Sequence, residues 1–259
     1  MAAINSRAIQ TLLALAVITS LLGVPTSRAH SPGIDPAAVS ILKRMTDYVS
    51  KLQQFSVRTE NTLEEYLDSG QRVDLSVAAH VLVRRPDKLH AESTSDQISQ
   101  EFFYDGETLT LHNPSDGVYA TLPAPETVEE LLDFARESLG IIIPASDLMY
   151  RNAFAAMMQD VTSAVVIGKT TIGGSVCDHL AFRRPGVDFQ LWVAEGDRPL
   201  PCKYVITDTS DPAYVSTTTV MSDWNLDPAP GDDAFSFQAP AGAKSITFMR
   251  LDQAGSPVR

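Results

Sequence analysis

Cysteine is scarce: the 259-residue chain has two. Two cysteines cannot build a disulfide-dense scaffold or a four-cysteine zinc site. Basic residues are also few, 20 Lys+Arg against 32 Asp+Glu, for a formal charge of −12. Affinity for a nucleic-acid backbone comes from clustered Lys and Arg, so this balance excludes nucleic acid as a partner. Long apolar runs are missing too. The most apolar stretch, residues 11–24, has fourteen residues, against the roughly 20 that a spanning helix needs.

Signatures of catalysis are equally sparse. The sequence has no Gly-x-Ser-x-Gly elbow, no His-Glu-x-x-His and no phosphate-binding glycine loop. Gly168-Lys169-Thr170 is a fragment of a P-loop without its preceding glycine, and it falls within an expected strand. Glu64-Glu65 and Glu129-Glu130 are adjacent pairs, which read as solvated charge. No catalytic residue, cofactor or metal centre is expected, and the chain reads as a non-enzyme.

What is present is an apolar content of 44%, ordinary for a globular protein and too high for a disordered one. Residues 1–29 carry Arg7, the apolar run, Pro25 and a small-residue site at Ser27-Arg28-Ala29. That three-part pattern predicts a cleaved secretory signal peptide. Its removal takes away two bases and no acid, leaving 18 bases against 32 acids, a charge of −14. Cleavage leaves no cysteine at the new terminus, so no lipid anchor and no stable membrane anchor are expected.

Residues 30–259 read as a single domain. Asp35-Pro36 starts a helix, with Ala38, Ile41, Leu42, Met45, Val49 and Leu52 on one face. From Phe55 the period changes to two. The long alternation Val73, Leu75, Val77, Ala79, Val81, Val83 describes a strand with one wet face. Turn residues punctuate further strands at 88–92, 98–104, 108–112 and 118–122. Helices are expected at 127–139 and 146–159. Strands resume at 163–172, 177–183, 187–194, 203–208 and 214–224, before a frayed tail of ten residues. Sequential antiparallel strands with segregated helices make this an α+β fold.

Four runs in order resemble the LolA-like superfamily of periplasmic lipoprotein carriers. They are residues 49–55 leading from helix to strand, Val81 to Leu89 with its Arg85-Pro86 pair, Phe103 to Pro114 with an Asp-Gly hairpin and an Asn-Pro turn, and Phe235 to Gly242 as a closing strand and turn. The section from Cys177 to Thr207 is similar to a narrower branch, predicted periplasmic proteins of unknown function. The resemblance implies a periplasmic protein. Its fold would be a strongly curved antiparallel sheet of about 11 strands, an incomplete barrel whose concave face is covered by helices. It also implies an apolar cavity for acyl chains, with Arg85 latching the helical lid. Locally, Pro86 holds Arg85 in extended geometry.

The inward positions expected on the sheet are Val73, Leu75, Val77, Ile98, Phe102, Tyr104, Leu109 and Leu111. The lid would supply Leu131, Leu132, Phe134, Leu148, Phe154, Met157 and Met158. The same residues could equally fill a solid core. Cys177 and Cys202 begin the first and third strands of an expected meander, about 9–10 Å apart and beyond disulfide reach. Export favours a bridge and a bulge would permit one, yet two free buried thiols are the expected state. Cys177, His179 and Cys202 could meet a metal only with a fourth ligand, and none is apparent. The expected function is a binding or carrier protein for a hydrophobic ligand, a lipid or the acyl chain of a lipoprotein. The alternative is a lipid-sensing or protein-interaction module acting on an envelope protein.

Overall fold

The computed structural model describes residues 33–258 except Ile142, Met249 and 252–256. The expected signal peptide lies outside the described residues, as does part of the expected frayed tail. Helix α1 (Pro36–Val49) begins as the sequence indicates. Asp35 caps it by accepting from the Ala37 N–H at 2.8 Å, and Pro36 takes the first turn. Its buried stripe is Ala38, Leu42, Met45, Thr46 and Val49. The chain then runs through β1 (Gln54–Tyr66), β2 (Arg72–Arg84), β3 (Lys88–Ser95), β4 (Ser99–Tyr104), β5 (Thr108–Asn113) and β6 (Val118–Pro123). Each pairs antiparallel with the next.

Helix α2 (Val128–Leu139) opens on a threonine N-cap. Thr127 accepts from the Glu130 N–H at 3.2 Å, and its hydroxyl donates to the Glu130 carboxylate at 3.1 Å. Gly140 ends the helix at φ 66°, the left-handed conformation that glycine adopts without cost. After a 3-10 turn (Ser146–Met149) and the short α3 (Ala153–Met158) come five more strands. They are β7 (Ser163–Ile172), β8 (Ser175–Arg184), β9 (Val187–Ala194), β10 (Pro201–Asp208) and β11 (Ser216–Asn225).

All belong to one curved sheet of 12 strands that does not close, in the order β12-β6-β5-β4-β3-β2-β1-β11-β10-β9-β8-β7. Here β12 (Lys244–Ser245) is a two-residue strand added parallel to β6. A parallel bridge from Ile34 to Ala164 covers the start of the opposite edge. Leu109 and Leu122 from one arm of the sheet share a core with Phe182 and Phe189 from the other. The fold is therefore the expected α+β incomplete barrel. Among the described residues no helix is long and apolar enough to cross a membrane.

Three local expectations are corrected. The expected helix at 146–159 is broken between Met149 and Ala153. Phe235 does not open a closing strand; it ends a 3-10 turn (Asp232–Phe235), fully buried, with the Arg84 guanidinium 4.9 Å above its ring. Cys177 and Cys202 form a disulfide with Cα atoms 6.9 Å apart. The cause is a register shift between Pro201 and Lys203, where Cys202 is an extra residue on β10 and bulges toward β8. Both thiols are thereby withdrawn from metal ligation. His179 instead stacks on Trp192, centroids 4.0 Å apart, and bonds Gln190 at 3.0 Å. Of the expected tail, Arg250–Leu251 and Pro257–Val258 pair as a small second sheet (β13, β14).

Candidate functional site

The register of β1 to β4 arranges the inward side chains in rows. The deepest is Phe55, Val83, Leu89 and Tyr104, all buried. Next come Val57, Val81, Ala91 and Phe102, then Thr59, Ala79, Ser93 and Gln100. The last rows are Asn61, Val77 and Ser95, then Leu63 and Leu75. Polar side chains enter in the third and fourth rows, the last row is apolar again, and Ile98 beyond Ser95 is 38% exposed. Between these rows and a roof made by Val49, Ile141, Ile143, Pro144, Leu148 and Met149 lies a cavity of about 260 Å³. It is closed and apolar at one end and polar toward the other. Ala79 and Ala91 are small where strands prefer branched or aromatic residues, and that smallness leaves the space.

The side wall depends on a bulge. Between Ser56 and Arg58 the β1–β11 register shifts, and Asp223 takes φ 52°. The extra residue turns Trp224 inward instead of Asp223. Its ring lies 5.5 Å from Phe55, and its indole N–H donates to the Pro201 carbonyl at 3.3 Å. The buried Asn61 is fully occupied. It donates to the Val77 carbonyl at 3.1 Å and accepts from Thr219 at 2.8 Å, so it adds polarity without an unpaired group.

Arg85 stands behind the roof, its side chain 1% exposed. The guanidinium donates to the Leu52 carbonyl and to Glu129 Oε1, each at 3.2 Å, and to the Met149 carbonyl. Three segments are thus joined: the exit of α1, the first turn of α2 and the end of the 3-10 turn. Burial lowers the Arg85 pKa; the Glu129 carboxylate opposes that shift and Arg151 adds to it. Glu129 also accepts from the Arg151 backbone N–H at 3.1 Å. It is therefore no solvated charge but the partner of a buried cation. The broken helix has the same cause, since Met149 C=O and Arg151 N–H are engaged by Arg85 and Glu129.

Of the residues expected to line a cavity, Val77, Ile98, Phe102 and Leu148 come together there. Leu75 lies on the same face and pairs with Leu63, which lines it. Val73 is one row further out, opposite Glu65. Tyr104, Leu109, Leu131, Leu132 and Met157 are core residues, between 0% and 3% exposed. Phe134, Phe154 and Met158 pack against that core, half-buried. Leu111 sits beside Phe102 in the register. Arg85 is outside the cavity, holding its roof.

Sequence reasoning missed the polar third row, the bulged Trp224 with Met221, and the roof residues Ile141 and Ile143. Continuing the alternation from Phe55 to Thr59 onward would have reached Asn61 and Leu63. Nothing periodic marks Ile141 and Ile143.

The sequence model of a family described as "Predicted periplasmic protein (DUF2092)" matches residues 38–249. A search of curated proteins gave no match. Among solved structures, the fold is similar to LprF from Mycobacterium bovis, with 15% identity and TM-score 0.48, covering 82% of this chain and 99% of that one. It is similar to the lipoprotein LppX of Mycobacterium tuberculosis, with 16% identity and TM-score 0.44 over 76% and 98%. A LolA superfamily protein from Nitrosomonas europaea gives 14% identity and TM-score 0.38 over 77% and 97%.

Proposed function

We propose a function for this chain from the premise that it belongs to the family of predicted periplasmic proteins, DUF2092. It is a periplasmic binding or carrier protein for a hydrophobic ligand, one apolar chain of a lipid or acylated molecule. The chain lies between the sheet and the roof, and the polar head faces the end carrying Ser93, Ser95 and Gln100. The cavity carries this reading. An engineered cavity of about 150 Å³ accepts benzene, six carbons; by the same ratio 260 Å³ accepts about ten. Ten buried methylenes contribute about 8 kcal/mol before the cost of association, which gives exchangeable binding. Exchange requires the roof to lift, and Arg85 is the clamp that restrains it.

Native mass spectrometry of the purified protein tests this reading. The expected result is that a neutral amphiphile, monoacylglycerol, is carried by the unaltered protein and lost in Ala91→Phe, whose added ring occupies the cavity, while the melting temperature is kept. Monoacylglycerol bound by Ala91→Phe as by the unaltered protein, or none bound by the unaltered protein after incubation with it, would overturn it.

A further inference from the structure

Ile141, Ile143, Pro144 and Ala145 line a second cavity as well as the first. It has about 230 Å³ and lies between α2, these four residues, and strands β10 and β11. The hydrogen bond from Thr219 to Asn61 marks the divide, because Asn61 lines one cavity and Thr219 the other. The second cavity takes its apolar lining from Leu132, Ile141, Ile143 and Ile206 besides Pro144 and Ala145, and Ser146, Thr217 and Thr219 line it as well. Arg136, Asp147 and Tyr204 line both it and an adjoining cleft of about 460 Å³. An apolar chamber here continues into a charged vestibule.

The vestibule's charges are not equivalent. Arg136 is paired with Asp133 at 2.6 Å, and Asp133 also accepts from the Tyr150 hydroxyl at 2.7 Å. Tyr204 donates to Asp147 at 3.2 Å. Burial, then Asp147, holds the Tyr204 hydroxyl well above its ordinary pKa, so it remains a donor. Arg184 has no ion pair among the described residues. Its side chain's one hydrogen bond there, to the Ala156 carbonyl, is 3.5 Å long. A guanidinium without an acid, lining the cleft that adjoins this chamber, is the complement of a carboxylate on an alkyl chain.

We propose that this compartment is a second binding site, taking the single chain of an anionic amphiphile with its head at Arg184. By the benzene ratio 230 Å³ holds about nine carbons, the length of the decanoate chain beyond its carboxylate. The site is independent of the main cavity and is measured with that cavity filled.

The experiment is isothermal titration of Ala91→Phe with decanoate and with decanol at neutral pH. One decanoate per chain is expected, and decanol should bind roughly tenfold more weakly, the worth of one charge-assisted hydrogen bond. Adding Arg184→Gln should weaken decanoate by the same factor and leave decanol unchanged. Adding Ile206→Trp should abolish both; circular dichroism checks that each variant is folded. Decanoate binding to the unaltered protein but not to Ala91→Phe would end this proposal and leave the main-cavity reading standing. Equal losses for decanoate and decanol in Arg184→Gln would also end it. Binding in Ala91→Phe, without any ligand in the unaltered main cavity, would end the main-cavity reading alone.

Discussion

His90 sits on the sheet face turned away from the cavity, stacked on Phe103 with centroids 4.4 Å apart. Its Nε2 is buried without a hydrogen-bond partner, and the Glu92 carboxylate is 3.8 Å away. Burial lowers its pKa first; Glu92 and Glu101 oppose that and His80 adds to it. His179 is shifted the same way, by burial first, with Gln190 opposing and Lys203 adding. A histidine whose folded pKa is depressed stays neutral in the fold while the unfolded chain gains its proton near pH 6.5. Stability is then full above that pH and falls as pH drops through the folded pKa. His90→Phe keeps the ring stack and removes the orphaned nitrogen, which costs about 1–3 kcal/mol when buried. The variant should melt higher at pH 7, by about 2–4 °C for each kcal/mol gained, and lose less on going to pH 5. Thermal melts across that range check it. An unchanged loss would place the acid sensitivity elsewhere.

Elements differ in how far the sequence announced them. The β1–β2 pair was legible because one face is buried, so Val77, Ala79 and Val81 alternate with wet neighbours over the whole register. Helices α1 and α2 were legible through Asp35-Pro36 and Thr127, whose caps are local chemistry. The break at Met149 was not, because Arg85 is far away in sequence, and periodicity does not register a carbonyl taken by a distant guanidinium. Cys202 and Asp223 defeat the reading for another reason: one inserted residue changes which side chain faces inward. The element that binds roof to sheet is therefore the Arg85–Glu129 join. Arg85→Leu should leave the fold intact, because leucine fills the apolar volume, with a moderately lower melting temperature. Ligand dissociation should become roughly tenfold faster, the effect of losing one or two charge-assisted hydrogen bonds. Glu129→Gln keeps an acceptor for the Arg151 N–H and should fall between. Stopped-flow displacement of a fluorescent fatty acid measures both. An unchanged exchange rate would leave Arg85 a structural tie and no latch.

At the scale of the whole molecule, an acidic surface and an enclosed apolar volume act on the same ligand. The net charge of −12 disfavours standing adhesion to anionic headgroups, so contact with lipid goes through the cavity and capacity is set by its size. A rigid cavity of about 260 Å³ sets a limit that a series of chain lengths can locate. Monoacylglycerols suit the measurement because their neutral heads give Arg184 nothing to pair with. Each added methylene should tighten binding about fourfold, from ~0.8 kcal/mol apiece, until the chain reaches about ten carbons. Beyond that, further carbons meet the Phe55–Val83–Leu89 row, which is between 0% and 4% exposed, and affinity should level off. In Arg85→Leu the plateau should move to longer chains, because a roof freed from Leu52, Glu129 and Met149 can yield more volume. Titration calorimetry over the series reads both slopes. If affinity in the unaltered protein keeps rising well past ten carbons, the roof already yields without loss of the clamp. Capacity would then be set by roof motion, and the fixed-volume account would fall.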